Sequence, residues 1–130
     1  DPHNGYVPSK YRRFVLAGGK IALFGNGEER RDHVSVLDVA ELAVRMIERR
    51  TAGALNATTG RVASFRELAE MAIGFSDRSI EIENLPRSGP MPHNGYRPFD
   101  PAEVLRLFPD FAFTELEAGL RAAFNEVRDA

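Results

Sequence analysis

Two stretches of this chain carry the signature of one-sided helices, and they constrain the fold more than anything else in it. From Asp38, with Glu41 three residues on, Val39, Leu42, Ala43, Met46 and Ile47 recur at helical spacing. From Ser64, with Glu67 three residues on, Phe65, Leu68, Ala69, Ala72 and Ile73 repeat the pattern, and Gly74 is placed to stop it. Each stretch has one apolar face, so each needs another element to cover it. Candidates for that cover are strand-like runs: Ile21 to Phe24, Arg31 to Val36, the mostly apolar Ala54 to Thr58, Val62-Ala63, and the alternating Ile80 and Ile82. Strands interleaved with helices predict a mixed α/β (α+β) fold, and 130 residues suffice for one core.

The remaining segments are set by turn chemistry. Residues 1–8 are punctuated by Pro2, Asn4-Gly5 and Pro8 and read as loop, with Pro8 in the first turn of a helix that carries Tyr11, Phe14 and Val15 and ends at Gly18-Gly19. Gly25-Asn26-Gly27 predicts a hairpin turn between the first two strands. Residues 86–99 hold four prolines and two glycines, which excludes extended regular structure. Asp100-Pro101 opens a short helix through Phe108, and Thr114 with Glu117 opens a last one that buries Leu116, Leu120, Ala123, Phe124 and Val127. Pro-His-Asn-Gly-Tyr-x-Pro occurs at 2–8 and again at 92–98, too short and too widely spaced for a solenoid.

Charge and composition remove several function classes. The net charge of -2 gives no basic excess for nucleic acid. No cysteine is present, which excludes disulfides and thiolate chemistry. No apolar run approaches the ~20 residues of a membrane span, so a cytoplasmic location and no membrane partner are the expectation. The chain opens on Asp1-Pro2 without an initiator methionine, which leads us to expect a piece of a longer protein.

Few residues stand out as chemistry. Tyr6 and Lys10 fit Y-x-x-x-K, a spacing that puts a phenol and the ammonium that lowers its pKa on one helical face, but Pro8 lies between them. Gly25-x-Gly27 lacks the third glycine and the following helix of a phosphate loop. His3, His33 and His93 are not spaced as metal ligands, so no metal is expected. Arg12-Arg13 and Arg30-Arg31 are charge pairs of the kind that ordinarily faces water.

Taken together, ordered pieces of the chain resemble the C-terminal part of the NAD-dependent epimerases and dehydratases, the extended short-chain dehydrogenase/reductase family. They are Leu23–Gly27, Arg31-Asp32-His33-Val34 with Val36–Ala40, Asn56–Gly60, Ser64–Ala72, Arg87-Ser88-Gly89, and Asp100 with Glu117–Leu120. Departures are His33 for an aromatic, Glu103 for a lysine, and Leu107-Phe108-Pro109 without the family's Gly and Trp. The Gly-rich NAD fingerprint and the Ser/Thr–Tyr–Lys catalytic set are not in the sequence, and residues 6–10 match the latter by accident.

The resemblance implies residues 1–130 to be a substrate-binding region: a C-terminal substrate lobe plus the last helix and strand of an otherwise missing Rossmann domain. It implies a nucleotide-sugar ligand, with Arg31 and Arg87 on the diphosphate and Asn4 along the nucleotide. No catalytic or cofactor-binding residue is expected in this stretch; NAD or NADP would be held by the full-length parent and not by the fragment. The strand at 54–58 would lack parallel neighbours, and the surface left by the missing Rossmann half would favour self-association. The alternative is a stand-alone, non-catalytic binding or interaction module derived from the same family.

Overall fold

A computed structural model describes residues 7–128 of the chain. Helix α1 (Val7–Ala17) has Pro8 in its first turn, where a missing N–H costs nothing. Tyr11 and Val15, one turn apart, are its buried face. Gly18, at φ 77°, ends it, and the Gly19 N–H closes back on the Phe14 carbonyl at 2.8 Å.

Strand β1 (Ile21–Phe24) follows, then β2 (Arg30–Asp32), helix α2 (Val36–Glu48), β3 (Val62–Ser64), helix α3 (Phe65–Gly74), β4 (Ile82–Leu85) and β5 (Tyr96–Arg97), with helices α4 (Ala102–Leu107) and α5 (Leu116–Arg128) closing the chain. A single 3-10 turn, Pro92–Gly95, precedes β5. The strands form two small sheets. In the first, β1 runs parallel to β4 with Ile21 opposite Ile82. In the second, β2 is central, antiparallel to β3 and parallel to β5.

Two cores result. Ile21 and Leu23 point from β1 into one made with Tyr11, Val15, Leu68, Ala69, Ala72 and Phe124, so α1, α3 and α5 all pack there. The other joins Leu42 of α2 to Val104, Phe108 and Phe111. The Ser64–Glu67 capping box is formed in both directions, at 3.1 Å and 2.6 Å, as the local sequence predicts. Gly74 is the last helical residue of α3, and Phe75 caps it.

Four expectations are corrected. Gly25-Asn26-Gly27 does not make a hairpin, because β1 and β2 belong to different sheets. Both glycines have positive φ, but the turn is held by α3 instead: the Arg66 N–H donates to the Gly27 carbonyl, and Arg66 Nε donates to that of Asn26. At Gly27 a Cβ would lie 2.8 Å from a Leu23 methyl and 3.0 Å from the Arg66 nitrogen, so glycine is required there.

Secondly, α2 starts earlier than Asp38. Ser35 is its cap, accepting from the Leu37 N–H at 3.2 Å, so the preceding strand stops at Asp32. The Asp38 carboxylate is engaged elsewhere: it accepts from the Thr114 N–H at 2.8 Å and its hydroxyl at 2.7 Å, tying α2 to the segment before α5. Thirdly, only Leu42 of the expected α2 stripe is buried, with Met46 half-buried. Val36, Leu37 and Ile47 are 73–78% exposed, because no described element lies against that side. Fourthly, Ala54–Thr58 is not a strand. It has no ladder partner among the described residues, and a strand without one leaves its amide groups to water. Leu55 and Ala57 pack onto the second core instead. Among the described residues no helix is long and apolar enough to cross a membrane.

Candidate functional site

The site grows from β2. Side chains alternate along a strand, so Glu29 and Arg31 project to the same side. Glu29 is buried, and its Oε2 takes an ion pair from Arg31 at 2.8 Å. Its Oε1 takes a second, from Arg87, at 2.5 Å. Arg87 arrives from the loop after β4, and donates from Nη2 to the Phe24 carbonyl at 3.3 Å. Arg31 donates further to the carbonyls of Arg30 at 2.8 Å and Pro92 at 3.4 Å, and its guanidinium lies 5.8 Å from the Phe65 ring centre.

Thus the two arginines singled out in the sequence, 56 positions apart, meet at one carboxylate. Their side chains are a fifth exposed, against 8% for Glu29. One carboxylate between two guanidiniums leaves one positive charge uncompensated within the triad. A guanidinium has five N–H donors. The contacts above use three for Arg31 and two for Arg87, and the buried Nε of Arg87 has no hydrogen-bond partner. N–H donors are therefore left on both guanidiniums, and the Glu28 carboxylate also acts on Arg87.

The neighbouring acid is committed to structure. The Asp32 carboxylate accepts from the hydroxyls of Thr58 (2.5 Å) and Thr59 (2.8 Å) and from the N–H groups of Thr59 (3.2 Å) and Gly60 (2.8 Å). Four donors saturate it, so it pins the 58–60 loop against β2 and has little capacity for a ligand. His33 sits beyond it, half-buried and 6.5 Å from the Phe65 ring. Burial holds its pKa below the ordinary imidazole value, with Asp32 opposing and Arg31 adding to the effect.

A cavity of about 420 Å³ opens beside Arg31, walled by Phe65, His33, Arg97 and Phe99. A larger one, about 530 Å³, lies on the other side of His33. There the one arginine, Arg61, is paired with both oxygens of Glu115 at 2.6 and 2.7 Å, so its charge is cancelled. The smaller cavity is the better anion site for that reason.

Asn4 and Tyr6 lie outside the described residues. Lys10, the other half of the Y-x-x-x-K spacing, stands over the Phe14 ring at 5.6 Å. Two residues of the site escape a reading of the sequence. Glu29 could have been found from alternation, two positions before Arg31. Arg97 carries no local signal: its place beside Arg31 comes from the parallel pairing of β2 with β5.

Comparison with known proteins gives a consistent relationship. Residues 1–58 match the model of the NAD dependent epimerase/dehydratase family. The whole chain aligns with ADP-L-glycero-D-manno-heptose-6-epimerase of Alkalilimnicola ehrlichii, 28% identical over 141 residues, covering 44% of that protein. UDP-glucose 4-epimerase of Thermus thermophilus, solved with NAD, superposes with a TM-score of 0.77 at 24% identity, over 100% of this chain and 42% of that one. UDP-N-acetylglucosamine 4-epimerase of Methanobrevibacter ruminantium, solved with UDP-N-acetylmuramic acid, gives 0.82 at 22% identity, over 99% and 42%. The chain is similar in sequence to part of one such epimerase and shares the fold of the solved ones, and it spans less than half the length of each of these proteins.

Proposed function

We propose that this chain is the substrate-binding, C-terminal region of an NAD- or NADP-dependent epimerase or dehydratase acting on a nucleotide-sugar, and that Arg31 and Arg87 grip the diphosphate. The observation that carries the reading is the convergence of these two part-buried guanidiniums on Glu29, with several donors to spare. A guanidinium presents a planar fork that matches two phosphate oxygens, and partial burial strengthens the pairing. Glu29 keeps the two forks in place before a ligand arrives, which lowers the ordering cost of binding.

In the full-length protein the nicotinamide would exchange a hydride with the sugar. On this reading the residues of this chain bind and orient, and the rest of the full-length protein moves the reaction's protons. The exposed apolar side of α2 favours this reading over a stand-alone module. Val36, Leu37, Val44 and Ile47 form a surface that a helix of a self-sufficient domain would bury. In the full-length protein that surface seats the remainder of the nucleotide-binding half, and in isolation it favours self-association.

Thermal unfolding of the chain with UDP-, ADP-, GDP- and dTDP-linked sugars tests the reading. At least one should raise the midpoint, and NAD alone should not. Stoichiometric binding of NAD to this chain would overturn the division of labour proposed here, and no response to any of the four sugars would overturn the ligand class.

A further inference from the structure

In the ladder joining β2 to β5, Arg97 stands directly opposite Arg31. The strands are parallel, so registered side chains leave the sheet on one side, and both arginines line the same 420 Å³ cavity. Like charges in facing positions repel. For Arg31 the repulsion is offset by Glu29. Arg97 has no such offset: no carboxylate among the described residues pairs with it.

What holds Arg97 is an imidazole and a phenyl ring. Its Nη1 lies 3.0 Å from His93 Nε2, and its guanidinium stands 5.3 Å from the Phe99 ring centre. A ring nitrogen that accepts from Arg97 fixes its direction without neutralising it. The turn that delivers this histidine is strained. His93 and Asn94 both sit at φ 53°, left-handed values that disfavour residues with a side chain, and Gly95 follows at 77°. Such strain is retained where the surroundings need the geometry. His93 and Arg97 are both part of the second Pro-His-Asn-Gly-Tyr-x-Pro segment, whose recurrence the proposed function leaves unexplained.

We propose that Arg97 is a further anion-binding residue of this cavity, contacting a second phosphate group of the ligand next to the one met by Arg31. The inference rests on the diphosphate reading above and deepens it. Arg31, which lines the cavity, gives it an affinity for one phosphate; Arg97 makes it select two linked phosphates over one.

Isothermal titration of the full chain with inorganic pyrophosphate and with orthophosphate, at fixed low salt, tests this. Arg97→Ala should weaken pyrophosphate about tenfold, the loss of one charge-assisted contact at an exposed position. It should leave orthophosphate within about twofold, and Arg97→Lys should recover part of the loss. Circular dichroism of Arg97→Ala should match the wild type, since the side chain is exposed. If Arg31→Ala abolishes pyrophosphate binding while Arg97→Ala binds like the wild type, the diphosphate reading stands and this inference falls. Equal losses for the two anions in Arg97→Ala overturn it as well. If the wild type binds no pyrophosphate, both fall together.

Discussion

Glu29→Gln separates the two demands placed on the arginine triad. The substitution keeps the side chain's size and one acceptor oxygen, but it removes the negative charge and turns an amide NH2 toward a guanidinium. Both carboxylate oxygens are in use, at 2.5 Å to Arg87 and 2.8 Å to Arg31, and the side chain is 8% exposed. Removing one partner of a fully buried ion pair costs about 3–5 kcal/mol. The guanidiniums here are a fifth exposed, so water screens part of that, and about 2 kcal/mol is the expected loss. For 130 residues, at about 2.1 cal/mol/K each, this lowers the midpoint by roughly 7 °C.

The same change raises the local positive charge. Pyrophosphate, which supplies the missing negative charge, should therefore stabilise the variant more than the wild type and close part of the gap. Thermal and urea unfolding with and without pyrophosphate measure both effects. A variant as stable as the wild type would show that Glu29 does not hold the arginines. A stability loss that pyrophosphate leaves untouched would show that the anion does not reach them.

Two further predictions concern the frame around the site. Asp38→Ala removes both contacts to Thr114 across 76 positions and should cost about 2 kcal/mol in urea unfolding, whereas Thr114→Val removes only the hydroxyl contact and should cost about half as much. His33 has a folded pKa depressed mainly by burial, so the unfolded chain binds its proton more tightly. Stability from this residue is complete above the unfolded value of about 6.5 and is lost as pH falls from there through the lower folded value. His33→Phe should flatten the stability profile over that window, and an unchanged slope would contradict the assignment.

What could be read from the sequence was local. Pro8 and Gly18 bracket α1, and Ser64 with Glu67 starts α3, because a cap is a contract between residues a few positions apart. The pairings were not legible. Nothing in Ile21–Phe24 indicates β4, some sixty residues on, and the same glycine turn would serve a hairpin equally well. Asp38 looked like a cap because it opens an apolar stripe, while its partner, Thr114, is set by tertiary packing. The stripe of α2 was correctly apolar, but periodicity cannot say which half of it the described elements will cover. At the site, family resemblance pointed to Arg31 and Arg87. Their meeting point at Glu29, and the neighbour Arg97, follow only from the folded chain.

The central claim is that Arg31 and Arg87 together hold a diphosphate, and a double-mutant cycle on nucleoside diphosphate binding tests it most directly. Dissociation constants would be measured by titration calorimetry for the wild type, Arg31→Ala, Arg87→Ala and the double variant. The account predicts a loss of about tenfold or more for each single variant. It also predicts a double variant less impaired than the product of the two losses, since both arginines act through one carboxylate and one ligand. Single variants that bind as tightly as the wild type would contradict it.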